Sequence, residues 1–160
     1  MAVSQYQFGG TNPTIATIAT AKAVAVGDLV GMSSGTLVKA SDTTWNTDLA
    51  TTQSDFRALF LGVSGQQKAA GDARVFGNAT DNVVRVDAGG IFQFDCASAT
   101  FEVGDLVGPA KDTGNALLDQ KVVKVTPEAS AIGRVVERGT SITRVKIQIL
   151  SVLNPLARQS

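Results

Sequence analysis

Val26-Gly27-Asp28-Leu29-Val30-Gly31 and Val103-Gly104-Asp105-Leu106-Val107-Gly108 are one six-residue string written twice in the same chain. Each copy is followed by the same order of parts. After the first come Leu37-Val38-Lys39 and then Ala58-Leu59-Phe60-Leu61-Gly62-Val63; after the second come Val122-Val123-Lys124-Val125 and then Ala131-Ile132-Gly133-Arg134-Val135-Val136. Repetition at this scale points to two related halves. Within the string, glycine tolerates positive φ and aspartate bonds its own neighbouring backbone, so Gly-Asp makes a tight turn and Leu-Val returns the chain to a strand. The string is read as structural, a strand entry and not a ligand loop.

Working outward, the chain divides into an arm (1–13), a β-rich body (14–150, with halves of about 14–95 and 96–150) and a tail (151–160). Thr14 to Thr20 is rich in Thr and Ile and reads as extended, half-buried backbone. Leu29–Met32 and Thr36–Ala40 form a hairpin across Ser33-Ser34-Gly35. Ala58–Val63, Ala73–Phe76 and Val83–Asp87 are further strands. Val83–Asp87 is expected to pair with Ile91–Asp95 as a hairpin over Ala88-Gly89-Gly90. The second half supplies Leu106–Gly108, Leu117-Leu118, Val122–Val125, Ile132–Glu137 and Thr143–Leu150. In the last strand Ile142, Arg144, Lys146 and Gln148 share one side, with Thr143, Val145, Ile147 and Ile149 on the other. Helix is confined to short pieces, one of them from about Leu49 to Arg57 with Thr47 or Asp48 as its cap. The expected fold is all-β, a compact barrel- or sandwich-like body with an extended N-terminal arm.

Composition narrows the function. The chain has 160 residues, 44% of them hydrophobic but only 6% aromatic, which favours thin β layers over a large aromatic-lined pocket. Fourteen basic and fourteen acidic residues cancel, leaving no global field to attract nucleic acid or an anionic membrane and little charge repulsion against self-association. No run of about eighteen apolar residues occurs, and Met1–Tyr6 has no basic or apolar stretch, so neither a spanning helix nor a secretion signal is expected. Cys96 is the single cysteine, which rules out an internal disulfide and reads as a small buried hydrophobe.

Histidine is absent, which removes the commonest general base and metal ligand. One cysteine makes no zinc site. Asp81, Asp87 and Asp95 flank the expected hairpin, with Asp87 and Asp95 opposed across it, but aspartates beside Gly, Asn and Thr read as turn formers. No phosphate-cradling glycine motif occurs. No catalytic, cofactor-binding or metal residue is therefore assigned, and the chain is expected not to be an enzyme and to need no cofactor.

Candidate contact residues remain. Tyr6 and Phe8 lie on the arm, which either frays or docks on a neighbouring subunit. Trp45, the single tryptophan, stands in a polar insertion (Ser41 to Asp55) without counterpart in the second half, as an interface anchor or a lid over the barrel end. Arg134, Arg138, Arg144 and Lys146 give the last hairpin a basic edge, either guarding against strand pairing or meeting an acidic partner.

The order Ala23–Gly31, Gly89-Gly90-Ile91-Phe92-Gln93-Phe94, Phe101–Ala110, Ala131–Glu137 and Thr143–Ile147 resembles that of small phage-head decoration, or capsid cement, proteins, a family defined as a domain of unknown function. The likeness covers most of residues 14 to 150; the Ser41–Asp55 insertion and the arm before Thr14 fall outside the common pattern. The resemblance implies a structural virion protein made in the host cytoplasm and carried on the capsid exterior. There it would bind the outer face of the major capsid protein lattice, often as a homotrimer, and strengthen the shell. The competing expectation is a carbohydrate- or receptor-binding β module of a phage fibre or adhesin, which needs exposed aromatic platforms or a calcium site.

Overall fold

A computed structural model describes residues 4–72 and 82–153. The expected strand at 73–76, Asp81 and the tail beyond 153 lie outside the described residues. In chain order the elements are β1 (Gln5–Phe8), β2 (Pro13–Thr17), β3 (Leu29–Ser33), β4 (Thr36–Lys39), α1 (Leu49–Leu59), β5 (Phe60–Ser64), β6 (Val83–Asp87), β7 (Ile91–Phe101), β8 (Leu106–Lys111), β9 (Leu117–Lys124), β10 (Gly133–Val135) and β11 (Gly139–Ile149). Short 3-10 turns occupy Ala40–Asp42 and Glu128–Ser130. The protein is all-β with one short helix.

The two copies of the string build the same device. Gly27 and Gly104 adopt φ of 94° and 93°, and the carboxylates of Asp28 and Asp105 accept from the N–H of Ala25 and Glu102 at 2.8 and 2.9 Å. Each glycine N–H then donates at 2.8 Å to the end of a neighbouring strand, Gly27 to Ser64 O and Gly104 to Val135 O. The aspartate carbonyls accept from the same two residues at 2.9 Å. Side chains without the carboxylate or without access to positive φ would lose this clasp.

Two sheets follow, and they have one topology. The first runs β2-β6-β5-β3-β4; the second runs β7-β11-β10-β8-β9, with β1 added outside β7. Counted within each half, both orders read first, fifth, fourth, second, third. In the second half β9 also pairs in parallel with β7, Asp95 opposite Lys121 and Cys96 opposite Val122, which closes a five-strand barrel. The corresponding strands of the first half, β2 and β4, are not paired. The sheets divide the chain at Ala88–Gly90, because β7 runs unbroken from Ile91 to Phe101 through the boundary expected at 95/96.

Three expectations are corrected. First, β6 and β7 do not form a hairpin. The chain changes sheets at Ala88-Gly89-Gly90, and both strands pair instead with residues far upstream. Gln5, Tyr6 and Phe8 lie opposite Gln93, Phe92 and Ile91, and Pro13 to Thr17 lie opposite Asp87 to Val83. Between them Gly89 and Ala88 donate to Thr11 O and Asn12 O at 2.9 and 3.4 Å. Residues 5–17 therefore form one extended ribbon clasped along both sheets. Second, the arm is not free through residue 13, since this ribbon begins at Gln5. Third, β11 is an interior strand between β7 and β10, so its cations guard no edge. Its alternation also breaks: Ser141 has φ of 53° and the register shifts on both sides of Ile142, which turns that side chain onto the core.

The main core is shared between halves. Leu29, Phe56, Phe60 and Val63 of the first half pack with Phe92, Phe94, Val107, Ile132, Val135, Ile147 and Ile149 of the barrel. A second cluster, including Ile18, Val24, Val30, Leu37, Val84 and Val86, fills the opposite face of the first sheet. Helix α1 is capped by Asp48, one of the two caps the sequence offers, whose carboxylate accepts from Thr51 N–H at 2.8 Å. It buries Phe56, and its Gln53 amide donates to Pro109 O at 2.7 Å. Much of the polar insertion thus fastens one half to the other. Truncating a buried aromatic here costs about 3–5 kcal/mol.

Candidate functional site

The surface is best described from its charges inward. Each cation of the expected basic edge has a carboxylate partner in the same chain. Arg134 meets Glu128 at 2.9 Å, Arg138 meets Glu102 at 3.0 Å, Arg144 meets Asp95 at 3.4 Å and Lys146 meets Glu137 at 2.7 Å. Two of these partners come from parts of the chain remote in sequence, Glu102 for Arg138 and Asp95 for Arg144, the latter pair directly opposite in the β11–β7 ladder. The face is a lattice of exposed ion pairs, each contributing little to stability, and its field is locally cancelled.

Asp87 and Asp95 are not opposed. Asp87 ends β6 in the first sheet, nearly buried and 3.4 Å from Arg85, whereas Asp95 lies in the barrel beside Arg144. Among the described residues no group of three or more Cys, Asp or Glu converges to hold a metal ion. Cys96 is buried, its thiol pushed up by desolvation and then by Asp95. Trp45 is half-buried with Lys111 Nζ 5.7 Å from its ring centroid, so the insertion lies against the barrel's β8 and offers no free aromatic platform.

The ribbon is different in character. Gln5 to Thr17 contains no charged residue; the first in the chain is Lys22. Three large apolar side chains stand out from it: Tyr6 (48% exposed), Phe8 (54%) and Ile15 (65%). Tyr6 is held edge-on to Phe92, ring centroids 5.7 Å apart, and its hydroxyl donates to Gly9 O at 2.7 Å, so the ring is fixed while half of it stays wet. Beside Ile15 runs a groove of about 430 Å³ lined by Pro13, Thr14, Gly65, Gln66 and Arg85. β1 and β2 each pair on one side only among the described residues.

Sequence reasoning singled out Tyr6 and Phe8 and missed Ile15, whose environment depends on the ribbon's pairing. It also missed Lys68, fully buried, whose ammonium donates to the carbonyls of Thr20 and Lys22 at 2.8 Å and of Ala69 at 3.1 Å. A lysine in a run of Gln, Ala and Gly carries no sign of that role.

Neither family models nor curated proteins give a match to this chain.

Proposed function

We propose that this chain is a capsid decoration protein, a structural virion component that binds the outer surface of the major capsid protein lattice and stabilises the head. The observation that carries the reading is the uncharged ribbon, with Tyr6, Phe8 and Ile15 exposed, on a body in which Arg134, Arg138, Arg144 and Lys146 are neutralised internally. Attachment then rests on apolar side chains and strand edges, not on a long-range field. A rigid body with two fused sheets suits a clamp, and repetition over a lattice turns modest contacts into firm attachment. The sequence order shared with capsid cement proteins supports the same reading, and the resemblance favours a trimer. Trp45, half-covered beneath Lys111, is poorly presented for stacking on a sugar.

Co-sedimentation with DNA-free heads assembled from the major capsid protein of the same genome tests this. The chain is expected in the pellet with the heads, saturating at a fixed ratio to capsid subunits, and a Tyr6→Ser/Phe8→Ser variant is expected to remain largely in the supernatant. A parent chain left wholly in the supernatant overturns the reading.

A further inference from the structure

We infer that the free edge of β2 at Pro13–Ile15 receives β1 of a second copy of this chain, joining the sheets of neighbouring subunits edge to edge. The internal duplication identifies the slot. Through the β5/β10 correspondence, Val86 and Asp87 of β6 occupy the places of Ile147 and Gln148 of β11. Thr14 and Pro13, opposite Val86 and Asp87, therefore occupy the places of Phe92 and Ile91, opposite Ile147 and Gln148. In the second half that stretch of β7 carries a strand on its outer edge, β1 of this same chain, with Tyr6 opposite Phe92. The matching edge of β2 carries none among the described residues.

A groove of about 430 Å³ adjoins this edge, lying over the β2–β6 face between Pro13, Thr14 and Ile15 on one side and Gly65, Gln66 and Arg85 on the other. The occupant is within the chain's own repertoire, because β1 keeps one edge on β7 and offers the other. Exposed strand edges are ordinarily blunted by charges or by proline, since an unpaired row of N–H and C=O groups templates association; Pro13 has no N–H to offer, so the donors of this edge lie beyond it. Here neither edge has a charge from Gln5 to Thr17, and the whole chain is neutral, so like-charge repulsion does not oppose a second copy. Joining β1 to β2 is a heterologous contact, in which different patches meet; such contacts close into rings when the rotation permits.

The inference concerns the free protein and does not rest on the capsid reading. Light scattering across a concentration series is expected to give a mass that is a multiple of the single chain. Ile15→Lys places a charge at the seam on a side chain that is mostly exposed in the single chain; it is expected to leave the melting of the isolated subunit unchanged and to raise the half-dissociation concentration roughly tenfold or more. Mixing a Gln7→Cys variant with a Thr14→Cys or Ile15→Cys variant is expected to produce an intermolecular disulfide that none of the three forms alone. A single-chain mass at every concentration overturns the inference, as does an oligomer whose mass and affinity are indifferent to Ile15→Lys. Disulfides confined to identical variants overturn the β1-to-β2 pairing in favour of like strands meeting. All of these are read without heads, so failure here leaves the co-sedimentation result standing, and the converse holds.

Discussion

The side-chain amide of Gln120, in the barrel, donates at 2.8 Å to the carboxylate of Asp28, in the first copy of the repeated turn. Asp28 is nearly buried, and the same Gln120 accepts from Ser4 N–H at 3.2 Å, so one side chain ties the barrel, the first-half turn and the start of the ribbon together.

Gln120→Leu removes that tie and leaves a buried carboxylate oxygen short of a donor. Unfolding by urea is expected to show a loss of about 1–3 kcal/mol. A double-mutant cycle with Asp28→Asn should return a coupling of at least about 0.5 kcal/mol; additive losses would mean that the contact carries no energy of its own.

Gly62 and Gly133 are equivalent positions in β5 and β10, and both press on backbone. An added Cβ would collide with Asp87 O in one case and lie 2.5 Å from Gln148 O in the other. Gly62→Ala and Gly133→Ala are each expected to cost about 1–3 kcal/mol, whereas Gly10→Ala, with open space around it, should change stability by less than about 0.5 kcal/mol. Thermal melts of the three variants side by side check this, and a Gly62→Ala variant as stable as Gly10→Ala contradicts it.

Lys68→Met keeps the length of the buried stem and discards the ammonium that gathers the carbonyls of Thr20, Lys22 and Ala69. The expected loss is about 1–3 kcal/mol. Amide hydrogen exchange should speed up around residues 19–24 and 68–71, since Val24 and Lys68 also exchange backbone hydrogen bonds at 2.9 Å. Unaltered exchange there would remove Lys68 from this role.

Asp105 accepts from Glu102 N–H at 2.9 Å and lies 2.6 Å from Lys124 Nζ, and these hold its carboxyl below the ordinary 3.8. A depressed folded-state value means stabilisation present above the unfolded value and lost as pH falls through the folded one. Asp105→Asn should therefore lower Tm at neutral pH and converge on the parent in strong acid. Asp119 has the opposite sign: burial raises it despite hydrogen bonds from Ser41 N and Oγ at 2.8 and 2.9 Å. Its contribution is full below the unfolded value and is lost as pH rises through the folded one. An Asp105→Asn deficit that persists undiminished in acid would contradict the assignment.

What was legible in the chain was local chemistry. Gly-Asp specifies its turn whatever surrounds it, Asp48 caps a helix within its own first turn, and alternating Val145, Ile147 and Ile149 face a core in any sheet. Partner choice was not legible. Ala88-Gly89-Gly90 has the composition of a hairpin turn, yet its flanking strands find better partners in residues 5–17, a pairing across 66 to 88 positions that no local pattern encodes. The same non-locality hid Glu102 and Asp95 from Arg138 and Arg144, which they neutralise. Ile142 escaped because a single positive-φ residue, Ser141, reverses the alternation that precedes it. The exposed aromatics of β1 were visible as residues out of keeping with a solvated tail, but the ribbon that fixes them was not.

Cryo-electron microscopy of DNA-free heads incubated with saturating chain tests the central claim most directly. The expected map carries additional density, with the volume of this chain and the shape of two fused sheets, at every equivalent site on the outer face of the capsid lattice. A lattice superimposable on that of undecorated heads, with no such density at saturation, would contradict it.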